Sequence, residues 1–224
     1  MSFSDGILLL NKPKTKTSFY LVILLRKLTN IRKIGHAGTL DPLATGVMVM
    51  LIGKKYTQMT PNFILHDKEY HTLIELGKET DTYDTDGQVL KTSLVIPSLT
   101  EIQNALINFQ GTILQTPPMY SAKKHKGKKL YELARKGEEV ERKPKEIQVQ
   151  ATLLSYNYPY LELKIACSSG SYIRSIAHDL GILLNCGACV SELTRVRSGP
   201  YTLSECISVD QLNESIYAQH LRNS

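Results

Sequence analysis

Val47 to Ile52 is an unbroken apolar run with a glycine at each end, Gly46 and Gly53. It is far too short to span a membrane, and so is every other apolar run in the sequence. It also lacks the polar alternation of a strand with one wet face. It reads as a central strand buried on both sides, so other elements must cover it. A chain of 224 residues can supply that cover as one large domain or two small ones. An apolar content of 42% and a charged content of 21% are ordinary for a soluble globular protein.

The remaining pattern mixes strands and helices. Ile7 to Leu10 is a short apolar strand that ends at Lys12-Pro13. Thr17 or Ser18 can cap a helix that carries Phe19, Val22, Ile23 and Arg26 at helical spacing. Gly35 to Gly46 is rich in Gly, Thr, Asp and Pro and reads as a loop, as does polar Thr80 to Gly87. Tyr70 to Leu76 reads as a strand. Thr100 and Gln103 suggest a capping box for a helix with Ile102, Leu106 and Phe109 on one face, ended near Gly111. Ile147 to Leu153 and Leu161 to Cys167 alternate polar and apolar residues about a turn with Pro159, which predicts an antiparallel pair. Ser171 can cap a helix bearing Ile173, Ala177, Leu180 and Leu184. With no regular βαβ rhythm, the fold class is α+β. No glycine-rich phosphate loop is present, so no nucleotide cofactor is expected.

The N-terminus has no basic region followed by an apolar stretch, which points away from a signal peptide and towards a cytoplasmic protein without a membrane partner. Four cysteines are then expected reduced. Cys186 and Cys189 form a Cys-x-x-Cys, but no second pair stands at metal-ligand spacing, so buried thiols are expected and no metal.

Net charge is +6, and its placement matters more than its size. Lys123 to Lys145 hold ten Lys or Arg and four Glu, which accounts for the whole excess. Gly6 to Leu40 add seven Lys or Arg and no acid. Such concentration suits a polyanion partner, whose condensed counterions are released on binding. Plain solubility would produce the same pattern.

The densest group of reactive residues is Gly35-His36-Ala37-Gly38-Thr39-Leu40-Asp41-Pro42-Leu43-Ala44-Thr45-Gly46. It places one carboxylate at the mouth of the central strand, supported from below and open above. Pro42 keeps the Asp41 backbone away from the helical region. A positioned nucleophile or base fits this pattern. An Asx turn, in which the carboxylate caps the backbone, fits it as well.

This stretch resembles the catalytic motif of the TruB family of pseudouridine synthases. The likeness extends in the family's order over residues 6 to 210, roughly the whole chain. GILLLNKP (Gly6 to Pro13) resembles the first motif and Lys68-Glu69-Tyr70 the second, followed by LGKETDTYDTDG (Leu76 to Gly87). PPMYSAKKHKGKKLYELARKG (Pro117 to Gly137) resembles the RNA-gripping insertion, which would occupy about residues 112–146. SGSYIRSIAHDL (Ser169 to Leu180) resembles the third motif, and Gly187 to Arg195 the segment after it. The resemblance implies the pseudouridine synthase catalytic fold, a mixed and mostly antiparallel sheet flanked by helices with a central RNA-binding cleft. It implies one catalytic domain over residues 1–224, ending before the accessory RNA-binding domain that many relatives carry.

The implied reaction breaks a uridine's N1–C1′ bond, turns the base and joins C5 to C1′. The target base must leave the stack to be reached. Glycosidases use two carboxylates because a water is activated, whereas here no water is added and one carboxylate suffices. By resemblance that carboxylate is Asp41, as nucleophile or base, with Arg174 as its charge partner. Tyr70 would stack on the flipped base, and Tyr172 and Leu193 would complete the pocket. His36 would enter the RNA stack, its ring free to project between two small neighbours. Lys12 would support the cleft or meet a phosphate. Lys123, Lys124, Lys126, Lys128 and Lys129 would grip phosphates without reading sequence. Tyr120 and Tyr131, which flank this run, would anchor the insertion or stack on RNA. The implied substrate is the TΨC loop of transfer RNA at position 55, with no cofactor and no obligate protein partner. A solvated helix arginine at 174 and a core tyrosine at 70 remain open on the residues alone. So do an RNA-binding protein without catalysis, another RNA with a similar loop, and a thiol or zinc protein built on Cys186 and Cys189. Thr60-Pro61 interrupts a stretch that is helical in relatives, so a kink is expected there. Asn11 replaces the aspartate often found before the first-motif lysine.

Overall fold

The computed structural model describes residues 3–223. The elements in chain order are β1 (Gly6–Lys12), α1 (Ser18–Thr29), β2 (Ile34–His36), β3 (Thr45–Ile52), α2 (Lys54–Gln58), α3 (Thr60–Ile64), β4 (Lys68–Leu76), β5 (Lys78–Thr80) and β6 (Val89–Thr92). There follow α4 (Leu99–Leu106), β7 (Gln110–Gln115), β8 (Lys124–His125), β9 (Lys128–Lys129), α5 (Leu130–Ala134), β10 (Lys145–Asn157), β11 (Tyr160–Cys167) and α6 (Ile173–Leu183). The chain closes with β12 (Ala188–Ser198), β13 (Tyr201–Thr202), β14 (Ile207–Ser208) and α7 (Glu214–His220). The fold is α+β with mixed, mostly antiparallel pairing. It forms two compact units. One runs through Tyr70 and resumes from Leu193; the other is His71–Glu192.

In the first unit β3 is the hub. It pairs antiparallel with β1, from Gly6↔Ile52 to Lys12↔Gly46, and with β2. It pairs parallel with β12 at Thr194↔Thr45 and Arg195↔Gly46. β14 lies parallel on the far edge of β1. Val47, Val49 and Leu51 pack with Ile7, Leu9, Ala37, Tyr56 and Phe63. Met48, Met50 and Ile52, on the opposite face, are equally inaccessible. Both faces are thus covered, as an apolar run without alternation requires. Thr17 caps α1, its hydroxyl accepting from the Tyr20 N–H. The helical stretch after β3 breaks at Met59 into α2 and α3, and Pro61 takes the first turn of α3, where a missing N–H does no harm.

In the second unit β4, β11, β10 and β7 are neighbours in that order. β10 and β11 form the expected antiparallel pair, in register from Val149↔Cys167 and shifted once between Leu153 and Ser155. Ile102, Ala105 and Leu106 bury one face of α4.

Three local expectations are corrected. The capping box of α4 is Ser98 with Glu101, which starts ahead of Thr100 with Gln103; Ser98 has the extended backbone that a cap takes. Gly111 does not end that helix: a short 3₁₀ turn over Ile107–Phe109 does, and Gly111 lies in β7. Ser171 does not cap α6, because its hydroxyl donates back to the Ser168 carbonyl. The cap residue is Tyr172, whose N–H is taken by the Gln115 side chain.

Candidate active site

The Asp41 loop is pinned residue by residue. Part of the segment read as loop is strand, since β2 runs through His36, and the Ala37 N–H donates to the Val49 carbonyl. Ser18, buried at the head of α1, donates its hydroxyl to the Leu40 carbonyl at 3.0 Å and accepts the Leu40 N–H at 2.9 Å. One hydroxyl therefore fixes both backbone groups of the residue before Asp41. The Asp41 carbonyl accepts from the Ala44 N–H, and the Pro42 carbonyl from the Thr15 N–H at 2.8 Å. Asp41 itself is half-buried above this frame, with buried Leu40, Leu43 and Ala44 beneath it.

Two buried cations complete the frame. Lys12 is fully buried, and its ammonium donates to the carbonyls of Pro13, Lys16 and Pro42 at 2.9, 2.6 and 3.3 Å. That burial suits loop support and takes it away from phosphate. Desolvation pushes the Lys12 pKa down to about 8; Asp41 opposes the shift and Arg195 adds to it. Arg195, only 1% exposed, donates from Nε to the Val47 carbonyl at 2.8 Å and from Nη2 to the Gly38 carbonyl at 3.3 Å. Gly46 is required where β12 passes β3. It has φ +107°, and a Cβ there would sit 2.2 Å from the Arg195 carbonyl oxygen.

His36 is less free than its small neighbours suggest. It is half-buried with Nδ1 enclosed, and burial together with nearby Arg195 lowers its pKa, which favours the neutral ring. Leu193 is buried on the same face of β12 as Arg195, and its carbonyl lies 3.5 Å from the Thr45 hydroxyl. Tyr70 is buried on β4. Lys68, two residues before it, is buried and donates to the carbonyls of Ile64 and His66.

The second unit holds the other residues in a frame of its own. Arg174 is 4% exposed, which excludes a solvated helix arginine. Nη1 and Nη2 donate to the carbonyls of Thr82 and Tyr120, both at 2.7 Å, and Nε lies 3.6 Å from Asp84 Oδ2. Asp84 is buried too; its Oδ1 accepts from the Thr82 hydroxyl at 2.6 Å and the Asp86 N–H at 3.2 Å. Loop 80–87, the insertion and α6 therefore meet at one guanidinium. Tyr172 sits beside it, its N–H and carbonyl both held by the Gln115 amide at 2.8 and 2.9 Å.

Lys123, Lys124, Lys126 and Lys128 are exposed and Lys129 is half-exposed, on the hairpin β8–β9. Its two-residue turn, Lys126-Gly127, takes positive φ at both positions, as a tight hairpin requires. The Tyr120 hydroxyl donates to Asp81 at 3.2 Å, and the Tyr131 N–H to the Ser121 carbonyl at 3.1 Å. Cys167, Cys186 and Cys189 are buried thiols, and burial pushes the Cys189 pKa up to about 11. Among the described residues no cluster of His, Cys, Asp or Glu could hold a metal, and no helix is long and apolar enough to cross a membrane.

Sequence reading missed Ser18, Asp84, Gln115 and Arg195 as site-building residues. Arg195 carried a signal: alternation along β12 puts it on the buried face with Leu193. Asp84 carried none, since an acid in a polar turn ordinarily faces water.

Residues 26–173 match the family model described as TruB family pseudouridylate synthase (N terminal domain). Residues 174–224 match the tRNA pseudouridylate synthase B C-terminal domain. A Protochlamydia amoebophila protein named tRNA pseudouridine synthase B is 59% identical over 92% of this chain and 79% of its own. A Chlamydia pneumoniae protein of the same name is 52% identical over 95% of this chain and 91% of its own. A chain in a crystal structure of a Cbf5-Nop10-Gar1 complex is 29% identical with a TM-score of 0.73. That match covers 95% of this chain, which spans about half of the solved one (54%). The chain belongs to the TruB family of pseudouridine synthases.

Proposed function

We propose that this pseudouridine synthase acts on a uridine in the TΨC loop of transfer RNA, at position 55, with Asp41 as its catalytic carboxylate. The reaction is the isomerisation of uridine to pseudouridine, and the relatives' shared name, tRNA pseudouridine synthase B, supports transfer RNA as the substrate. The observation that carries the assignment of Asp41 is its loop: one half-exposed carboxylate on a backbone fixed at Gly38, Leu40, Asp41 and Pro42. A carboxylate held this way keeps one distance to a bound sugar or base, which either nucleophilic or general-base chemistry needs.

The other roles follow the family resemblance. Arg174 is Asp41's charge partner, and its guanidinium is already oriented by two carbonyls and Asp84. Tyr70 stacks on the flipped base, while Tyr172 and Leu193 line the pocket. His36 enters the vacated stack, where a neutral ring is the better π surface. Lys12 supports the loop, and Lys123, Lys124, Lys126, Lys128 and Lys129 hold phosphates. The chain works without a cofactor, metal, membrane or obligate protein partner.

Mapping tests the substrate. Unmodified tRNA transcript is treated with the protein, then with a carbodiimide that marks pseudouridine, and read by reverse transcription. A single new stop at the TΨC-loop uridine is expected. Stops elsewhere, or only in another structured RNA, would overturn the assignment.

A further inference from the structure

Arg195 is the largest of the fully enclosed side chains, and its side-chain partners are two carbonyls and a thioether: Val47 O, Gly38 O and Met48 Sδ at 3.6 Å. None is a carboxylate. Burying a guanidinium on neutral acceptors is unfavourable, and an aliphatic side chain on β12 would fill the space without that penalty. The charge is therefore retained for geometry. Val47 opens the apolar part of β3, and Gly38 stands early in the loop before it. The fork joins them, and Asp41 lies on the span between. The same residue's backbone is wedged against Gly46, where β12 and β3 run parallel. Its Nη1 lies 3.6 Å from where a Cβ would stand on Gly38, which has φ +91°. Gly38 and Gly46, on either side of Asp41, thus both rest on one residue. Ser18 and Lys12 hold other points of the same loop, but each comes from a segment that precedes it.

We infer that Arg195 is a positioning residue for the isomerisation: its planar fork sets the span from Gly38 to Val47 and thereby the reach of the Asp41 carboxylate. The inference rests on Asp41 being the catalytic carboxylate. Arg195 is buried beneath the loop, and it acts through Asp41.

The test is R195K, which keeps the charge and most of the stem but cannot hold both carbonyls in one plane. Single-turnover tritium release from C5-labelled tRNA is measured with enzyme in excess, beside RNA affinity and melting temperature. The expected result is a rate reduced about 10- to 100-fold, the scale on which small misplacements act, with affinity within about twofold and a near-wild-type melting temperature. A rate within about twofold of wild type would overturn the inference. So would a rate loss matched by equal losses of affinity and melting temperature, because that is a structural role alone. R195M is the second variant: if it folds and turns over at the wild-type rate, the fork is dispensable and the inference fails. D41N is run in parallel. Turnover by D41N refutes the reading of Asp41, whereas an inactive D41N beside a fully active R195K refutes only the role of Arg195.

Discussion

The Asp41 loop and the lysine hairpin, the two regions that the proposed function assigns to RNA, are built in opposite ways. The loop is held by buried side chains: Ser18 on Leu40, Lys12 on Pro42, Arg195 on Gly38. The hairpin has two strands of two residues each, a turn of Lys126 and Gly127, and lysines that reach into water. Bond-breaking at a sugar carbon depends on a position defined to a fraction of an ångström. Gripping a phosphate depends on charge, falls off gently with distance and tolerates motion. The chain places its buried polar groups where position matters and leaves solvated charge where only attraction is needed.

Gly46→Ala should break the pinned side most severely. A Cβ would stand 2.2 Å from the Arg195 carbonyl oxygen in a backbone with φ +107°, so β3 and β12 must part. A loss of about 3 kcal/mol or more and a melting temperature lower by roughly 10 °C are expected in thermal denaturation. A wild-type melting curve would show the approach is looser than described. Arg174→Ala should remove most turnover and also about 3 kcal/mol of stability, because Asp84 is left buried without its cation. Adding Asp84→Asn should restore much of the stability and none of the activity; if activity returns, Arg174 serves the fold alone. Neutralising Lys124, Lys126 and Lys128 together should act on affinity. About 10-fold weaker binding at low salt and a shallower salt dependence are expected, the slope falling by roughly 0.7 for each phosphate no longer neutralised, with turnover at saturating RNA unchanged. An unchanged salt slope would remove the hairpin from phosphate binding.

The smallest effect concerns Asp179, which belongs to neither region. Burial raises its pKa from 3.8 to about 6. The folded chain therefore holds this proton up to about pH 6, whereas the unfolded chain releases it near pH 4. Stability falls as pH rises through that window, and the loss is complete above it. Asp179→Asn should then be more stable than wild type at pH 7 by about 1 kcal/mol, after discounting for partial exposure, and equal to it at pH 3.5. A denaturant-melt difference that does not change with pH would contradict this.

The sequence was most legible where a pattern was long. The alternation of β10 and β11 repeats a period that only a strand satisfies, and the apolar run of β3, which has no period, is marked as a strand by its short length and its two bounding glycines. Helix starts were less legible. Ser98-x-x-Glu101 and Thr100-x-x-Gln103 both read as capping boxes, and in the structure Ser98 takes the extended cap conformation while Thr100 is already helical. The cap residue of α6, Tyr172, is held through its N–H by Gln115, which is 57 positions away in sequence, so no local rule finds it. The site divided in the same way. The resemblance gave Asp41, Arg174 and Tyr70 a role, whereas Asp84 and Arg195 lie in matched stretches that brought them none, and with Ser18 they matter through contacts made only on folding.

The central claim is that the one carboxylate on the pinned loop performs the isomerisation. Tritium release from C5-labelled uridine in unmodified tRNA tests it directly, because joining C5 to C1′ expels that hydrogen. The account predicts release by the wild-type protein, and none by Asp41→Asn although that variant still binds the RNA. Substantial release by Asp41→Asn would contradict the account.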